Sequence, residues 1–100
     1  VFGPVLAAFR VGSFDEAVEL ANDTEYGLSA GVVTRDIGSA LAFARRIESG
    51  LVKINQPTSG MAMNAPFGGV KNSSTQTAKE QAGETMMRFY TVDKTVYVTP

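Results

Sequence analysis

The chain has 100 residues, of which 44% are hydrophobic, and nine basic against ten acidic side chains give a formal net charge of −1. This size predicts a single compact domain, and the balanced charge leaves no basic stripe for nucleic acid. Because cysteine and histidine are both absent, thiol nucleophiles, disulfides, the usual zinc sites and every triad that needs an imidazole are excluded.

The first segments of the chain predict a strand followed by a helix. Residues 5–11 are mostly small or apolar and follow a Gly-Pro turn, which is typical of a buried strand. Ser13 and Glu16 then form a capping-box pattern. Apolar residues recur after it at the spacing of one helix face: Phe14, Ala17, Val18 and Ala21.

The next segments repeat this alternation. Residues 28–34 predict a short strand, Asp36 the N-cap of a second helix, Gly50 the left-handed stop of that helix, and residues 51–54 a third strand. The predicted apolar face of the second helix is Ile37, Ala40, Leu41, Ala44 and Ile47. This order predicts an α/β fold with a strand-helix-strand-helix-strand parallel layer, since two short crossovers favour parallel pairing. The order of the strands stays open.

A long uncharged loop follows the third strand. Residues 54–70 carry no ionised side chain, and prolines and glycines interrupt them, so they form neither a helix nor a membrane span. A loop of this length in a small chain is usually functional. Phe67 either projects into a pocket or tucks beneath its own loop. Residues 68–71 lack the spacing of a phosphate-binding glycine motif, which predicts that Lys71 is either solvated or remote from phosphate.

The end of the chain predicts a helix over residues 77–89, weakened by Gly83, and a half-exposed strand over residues 93–98. The strand alternates two faces: Lys94, Val96 and Val98 on one, and Asp93, Thr95 and Tyr97 on the other. It has no obvious partner within the chain, so we expect it to pair with another domain or another subunit.

Five segments carry recognisable patterns: residues 2–5 (FGPV), 26–32 (YGLSAGV), 50–55 (GLVKIN), 66–73 (PFGGVKNS) and 94–96 (KTV). In order and spacing, the chain resembles the C-terminal portion of the NAD(P)-dependent aldehyde dehydrogenases. The resemblance implies that Phe2 packs beside the nicotinamide of NAD or NADP. It also implies that Phe67 borders the substrate funnel, with Asn55 and Thr58 in the substrate pocket.

The resemblance further implies chemistry that this chain cannot complete. In the family's reaction, a cysteine thiolate attacks the aldehyde, hydride is transferred to the nicotinamide, and the thioester that results is hydrolysed. The cysteine, the general-base glutamate, the oxyanion asparagine and the dinucleotide-binding domain lie upstream in the family, and this chain has no cysteine. We therefore expect no catalytic residue and no metal site in the chain, and no tight cofactor binding by it.

Residues 55–60 (NQPTSG) look like the subgroup that acts on 2-oxoglutarate semialdehyde, as do Glu80-Gln81 and residues 89–91 (FYT). That substrate carries carboxylates, yet no lysine or arginine occurs between Lys53 and Lys71. A cationic clamp for the substrate would therefore have to come from elsewhere.

By the same resemblance, residues 1–90 are the C-terminal part of a catalytic domain and residues 91–100 the terminal strand of an oligomerisation sheet. This implies a homo-oligomer, and the start at Val1 favours a piece of a longer protein. No secretory signal pattern opens the chain, so we expect a cytoplasmic protein that contacts no membrane. Residue chemistry alone also permits a stand-alone α/β module that binds an apolar ligand or a protein, without enzymatic activity. A catalytically dead relative retained for assembly is a third hypothesis.

Overall fold

The computed structural model describes residues 3–74 and 81–100. Its elements are α1 (Phe14–Asn22), β1 (Tyr26–Gly27), β2 (Ser29–Val32), α2 (Ile37–Arg46), β3 (Leu51–Ile54), β4 (Val70–Lys71) and α3 (Gly83–Phe89). Strands β2 and β3 pair in parallel, with Ser29 opposite Leu51 and Val32 opposite Ile54. Strands β1 and β4 form a short antiparallel pair. The α/β character and one parallel crossover are therefore confirmed.

Helix α1 begins at the predicted cap. Ser13 Oγ accepts a hydrogen bond from the Glu16 backbone N–H at 3.1 Å. The Glu16 carboxylate in turn accepts from the Gly12 backbone N–H at 2.7 Å, one residue before the position that a standard capping box uses. Val18, in the middle of the helix, is buried in the core.

Helix α2 begins at Asp36, whose Oδ2 accepts from the Ser39 backbone N–H at 2.6 Å. The predicted apolar face is only partly right. The buried stripe is Ala40, Phe43 and Ile47, whereas Ile37, Leu41 and Ala44 are exposed. The sequence offers two overlapping apolar stripes at helical spacing, and the one with the largest side chain is the one that packs. Phe43 and Ile47 form the core with Val18 from α1.

The predicted left-handed stop at Gly50 is wrong. Helix α2 ends earlier, at Ile47, which is in an extended conformation with φ −74° and ψ 131°. Asn22 satisfies the end of this helix, because its Nδ2 donates to the Arg46 carbonyl at 2.9 Å and its Oδ1 accepts from the Glu48 N–H at 2.9 Å. Gly50 has no positive φ, so its backbone conformation does not explain why this position is a glycine.

The two ends of the chain differ most from the predictions. Residues 5–11 form no strand with any described residue, and Leu6 is 91% exposed, so the predicted buried strand is wrong for this chain. A strand forms only where a neighbouring strand can pair with it. Residues 91–100 are likewise exposed and unpaired within the described part of the chain, and their pairing with another chain stays a prediction.

Because both ends are extended and form no strand pair within the described residues, the chain is less compact than its length predicts. The radius of gyration is 18.1 Å, whereas a compact chain of this length has about 13 Å. The prediction of a single compact domain is therefore wrong.

The predicted helix over residues 77–89 is confirmed for α3, which starts only at Gly83 because Ala82 and Gly83 both have positive φ. Residues 77–80 lie outside the described residues. No helix in the described ranges has the length and apolar character to cross a membrane.

Candidate functional site

The uncharged loop between β3 and β4 is held against the start of α3. The Phe67 backbone N–H donates to the Gln81 carbonyl at 2.7 Å, and the Gly83 N–H donates to the Met63 carbonyl at 3.1 Å. Both hydrogen bonds come from the same short segment, residues 81–83, and they reach the loop on either side of Pro66. Together they fix the second half of the loop. The second half of the loop is therefore anchored to the start of α3.

The loop borders a small, half-open cavity, which we call the Phe67 cavity. Its volume is about 250 Å³, and its lining residues are Leu28, Ser29, Leu51, Thr58, Ser59, Gly60, Met61 and Phe67. Phe67 is half-buried and forms part of this wall. The structure thus brings together Phe67 and Thr58, which come from opposite ends of the loop. Apolar and hydroxyl-bearing side chains share the lining, which suits a small, partly polar molecule.

Asn55 is not part of this lining. It has φ +55° at the end of β3, and both polar atoms of its amide bond the Thr34 backbone: Oδ1 accepts from the Thr34 N–H at 2.8 Å and Nδ2 donates to the Thr34 carbonyl at 2.9 Å. Asn55 therefore links the end of β3 by hydrogen bonds to the segment that follows β2. It borders a separate, more open hollow of about 760 Å³, together with Arg35 and Pro57. Its role as a substrate contact stays a prediction.

The glycines beside Phe67 are explained by close packing. A Cβ on Gly69 would stand 2.5 Å from the Cβ of Ser73, and Gly68 lies directly against the backbone of Gly50. Ser73 Oγ also accepts from the Gly27 N–H at 3.1 Å, which fastens this turn to β1. Glycine is required here because backbone approaches backbone, and no phosphate is needed to account for it.

Lys71 differs from the solvated alternative of its prediction. Its side chain is only 24% exposed, and Nζ lies 2.5 Å from the Glu48 carboxylate. Nζ also donates to the carbonyls of Asn22 at 2.8 Å and Thr24 at 3.0 Å, beside the C-terminal end of α1, where a cation is favoured. Lys71 itself has φ +51°. It joins β4 to the ends of both helices.

The described residues contain no other strong electrostatic feature at the loop. The pKa of Asp36 is lowered by hydrogen bonds from Ser39, first from its side chain and then from its backbone N–H, but Asp36 caps α2 and does not reach the cavity. Within residues 3–74 and 81–100, no three potential metal ligands of the His, Cys, Asp or Glu type cluster together.

One predicted part of the site lies outside the described residues, and sequence reasoning missed another part. Phe2, the predicted cofactor contact, lies outside the described residues. Leu28 and Ser29 line the Phe67 cavity but were missed, because they lie about forty positions away from Phe67 along the chain. The only sequence signal for them was the short apolar run that predicts β2.

Comparison with known proteins gives a consistent result. The model of the aldehyde dehydrogenase family matches residues 1–96. The alpha-ketoglutarate semialdehyde dehydrogenase of Haloferax volcanii is 50% identical over 97 residues, which are 97% of this chain and 20% of that protein. The alpha-ketoglutaric semialdehyde dehydrogenase of Bacillus subtilis is 47% identical over 100 residues, which are 100% of this chain and 20% of that protein.

A solved structure is similar over almost the same range. A double mutant of betaine aldehyde dehydrogenase from Staphylococcus aureus, in complex with NAD+, superposes with a TM-score of 0.83 at 35% identity. The match covers 92% of this chain and 18% of that chain. The chain thus spans about a fifth of the length of the curated relatives it matches.

Proposed function

Because this chain belongs to the aldehyde dehydrogenase family, we propose that it is the C-terminal part of a longer enzyme that oxidises an aldehyde to a carboxylic acid with NAD or NADP. Within that enzyme, the uncharged loop forms one wall of the aldehyde entrance. The observation that supports this role most directly is the Phe67 cavity, which Phe67 and Thr58 line together.

The chemical steps belong to the remainder of the enzyme. A thiolate must add to the aldehyde carbonyl before hydride transfer to the nicotinamide can leave a thioester, and this chain has no cysteine to supply that thiolate. The chain instead orients and desolvates the substrate. The Phe67 ring offers apolar surface to the aldehyde, while Ser29 and Thr58 offer hydroxyl groups at the same cavity. The isolated chain is therefore inactive as a dehydrogenase.

We further propose that the substrate is a semialdehyde of the 2-oxoglutarate class. Two of the most similar relatives are named for that substrate, and their similarity extends over nearly the whole chain. The lining of the Phe67 cavity carries hydroxyl groups but no cation. The positive charge that balances the substrate carboxylate is therefore supplied by the remainder of the enzyme.

The described residues do not by themselves fit a dinucleotide. No glycine-rich phosphate loop joins a strand to a helix among them, and Phe2, the expected nicotinamide contact, lies outside the described ranges. When bound to the whole enzyme, the nicotinamide cofactor accepts the hydride. We propose that most of its contacts lie upstream of this chain, in a cytoplasmic homo-oligomer to which residues 93–98 contribute a strand.

The stand-alone binding module predicts a compact, well-behaved monomer. Exposed apolar side chains at both ends support a part of a larger assembly over a stand-alone module. Phe9 is 72% exposed near the start of the chain, and Tyr97 is 92% exposed near its end. Exposed apolar surface of this kind usually marks an interface.

The coding sequence upstream of Val1 tests the assignment. We expect a glutamate directly before Val1, two residues ahead of Phe2, and a cysteine further upstream. The purified full-length protein should then reduce NAD or NADP in the presence of 2-oxoglutarate semialdehyde, and alkylation of the cysteine should abolish this reaction. A coding sequence with neither residue would overturn the proposal.

A further inference from the structure

We propose that Lys71 is the positioning residue that holds Phe67 in the wall of the aldehyde site. The inference rests on the proposed function of Phe67 as part of that wall. Lys71 does not line the Phe67 cavity, and it lies four positions after Phe67 in the chain. It would therefore change aldehyde binding without touching the aldehyde.

The first support is the conformation of Lys71 itself. Its φ of +51° lies in the left-handed region, which a residue with a Cβ adopts only when its surroundings enforce it. The side chain supplies part of this enforcement, because Nζ bonds the Asn22 and Thr24 carbonyls and pairs with Glu48. The backbone supplies the rest, since Lys71 pairs with Tyr26 of β1 and its carbonyl accepts from the Ser74 N–H at 3.2 Å.

The second support is the rigid path from Lys71 back to Phe67. Val70 and Lys71 pair with β1, Gly69 packs on Ser73, and Gly68 packs on Gly50. Val70 and Gly68 are thus held by neighbours from other segments, and Gly69 by Ser73 within the same turn. Because glycine restricts its own backbone dihedral angles least, the positions of Gly68 and Gly69 depend on these neighbours and on the backbone turn at Lys71.

The third support is that Lys71 is the charged member of the anchors on this side of the loop, which among the described residues also include Ser73, bonded to the Gly27 N–H, and Asn72, bonded to the Glu25 carboxylate. The Gln81 carbonyl restrains the Phe67 N–H from the side of α3. On the side of β4, Lys71 is the only cation among the described residues that bonds the ends of both α1 and α2. The Phe67 backbone is therefore held from the side of α3 by Gln81 and from the side of β4 by a cluster to which Lys71 contributes the ion pair.

The test uses steady-state kinetics of the full-length enzyme with 2-oxoglutarate semialdehyde. The Lys71→Met variant is expected to raise the KM for the aldehyde about tenfold, whereas kcat and the KM for the cofactor stay within about twofold. Lys71→Arg, which keeps the charge, is expected to restore most of the affinity. Arg45→Met removes an exposed cation from α2 and serves as the matched control, with unchanged kinetics.

A double-mutant cycle separates positioning from general damage. If Lys71 acts through Phe67, then Lys71→Met adds little to the KM of a Phe67→Ala variant. A multiplicative effect would overturn the inference, as would an unchanged aldehyde KM in Lys71→Met. If Phe67→Ala itself leaves the aldehyde KM unchanged, the proposed function fails instead, so the two failures are distinguishable.

A second variant keeps the inference testable if Lys71→Met does not fold. Glu48→Gln removes the ion pair and leaves the two carbonyl contacts of Lys71 in place. Because Glu48 is 56% exposed, we expect a smaller rise in the aldehyde KM, about two- to threefold. A folded Glu48→Gln enzyme with the KM of the parent would then contradict the role of this contact cluster.

Discussion

The backbone of Gly50, directly before β3, packs against the carbonyl group of Gly68, directly after Phe67. A Cβ on Gly50 would overlap the Gly68 oxygen and would stand 2.8 Å from both the Gly68 carbonyl carbon and the Gly69 Cα. The atoms that would clash are backbone atoms, which cannot rotate away. This contact therefore connects the core strand β3 to the turn that carries the candidate substrate contact.

Gly50→Ala is the sharpest test of this packing. The substitution should destabilise the full-length protein by on the order of 1–3 kcal/mol, since an added methyl group must displace backbone. We expect a lower midpoint in thermal or urea unfolding and a raised KM for the aldehyde. Gly12→Ala is the matched control, because its Cβ would meet only a Glu16 side-chain oxygen at 3.4 Å. Equal shifts for the two variants would refute the packing argument.

Asp36 predicts a pH dependence of stability. Hydrogen bonds from Ser39 lower its pKa below the ordinary 3.8, so the folded state favours the ionised carboxylate. Its stabilising contribution is present above pH 3.8 and is lost as the pH falls through the lowered pKa. A carbon-detected NMR titration should give a midpoint below 3.8 for Asp36. A midpoint at or above that value would contradict the Ser39 contacts.

The isolated 100-residue chain should have no dehydrogenase activity. It contains no cysteine, so no thioester can form on it. Incubation of the pure chain with 2-oxoglutarate semialdehyde and NAD or NADP should produce no reduced cofactor. The full-length enzyme, assayed alongside, is the positive control. Reproducible turnover by the fragment would show that the assignment of the chemistry to the upstream segments is wrong.

Residues 93–98 should contribute to self-association. Val96 is 69% exposed and lies on the same predicted face as Val98, so a charge there should weaken strand pairing between chains. We expect Val96→Lys to shift the full-length protein to smaller species in sedimentation velocity. Thr95→Lys places the same charge on the opposite face and should shift it less. An unchanged distribution for Val96→Lys would count against this role.

The parts of the fold that depend on neighbouring residues were predictable from the sequence. Ser13 and Asp36 begin their helices as predicted, because a cap bonds a backbone N–H only three positions away. Strand β3 has the predicted bounds, Leu51–Ile54. The parallel pairing of β2 and β3 follows from the helix between them.

The parts that failed depend on contacts between distant segments. One alternative placed Lys71 in solvent, but its partners lie 49 and 47 positions away at Asn22 and Thr24. Gly50 was expected to end a helix, but its neighbour is Gly68. The segment over residues 5–11 was expected in a sheet, but a strand without a partner strand stays exposed. None of these pairings leaves a periodic signal in the sequence.

The candidate site was likewise predictable only in part. Loop composition and family resemblance together singled out Phe67 and Thr58, and these two line one cavity. Asn55 was grouped with them by the same resemblance, and its amide is bonded to the Thr34 backbone, so its role as a substrate contact stays a prediction. Side-chain direction, which sequence position alone does not give, separates these cases.

The most direct test of the central claim is the KM of a Phe67→Ala variant of the full-length enzyme for 2-oxoglutarate semialdehyde. Burying a phenylalanine ring is worth roughly 1.5–3 kcal/mol, so the loss of a half-buried ring should raise this KM about tenfold. Leu41→Ala, an exposed truncation on α2 away from the cavity, should leave the KM unchanged. A Phe67→Ala enzyme whose aldehyde kinetics match those of the parent would contradict the claim that this loop is a wall of the aldehyde site.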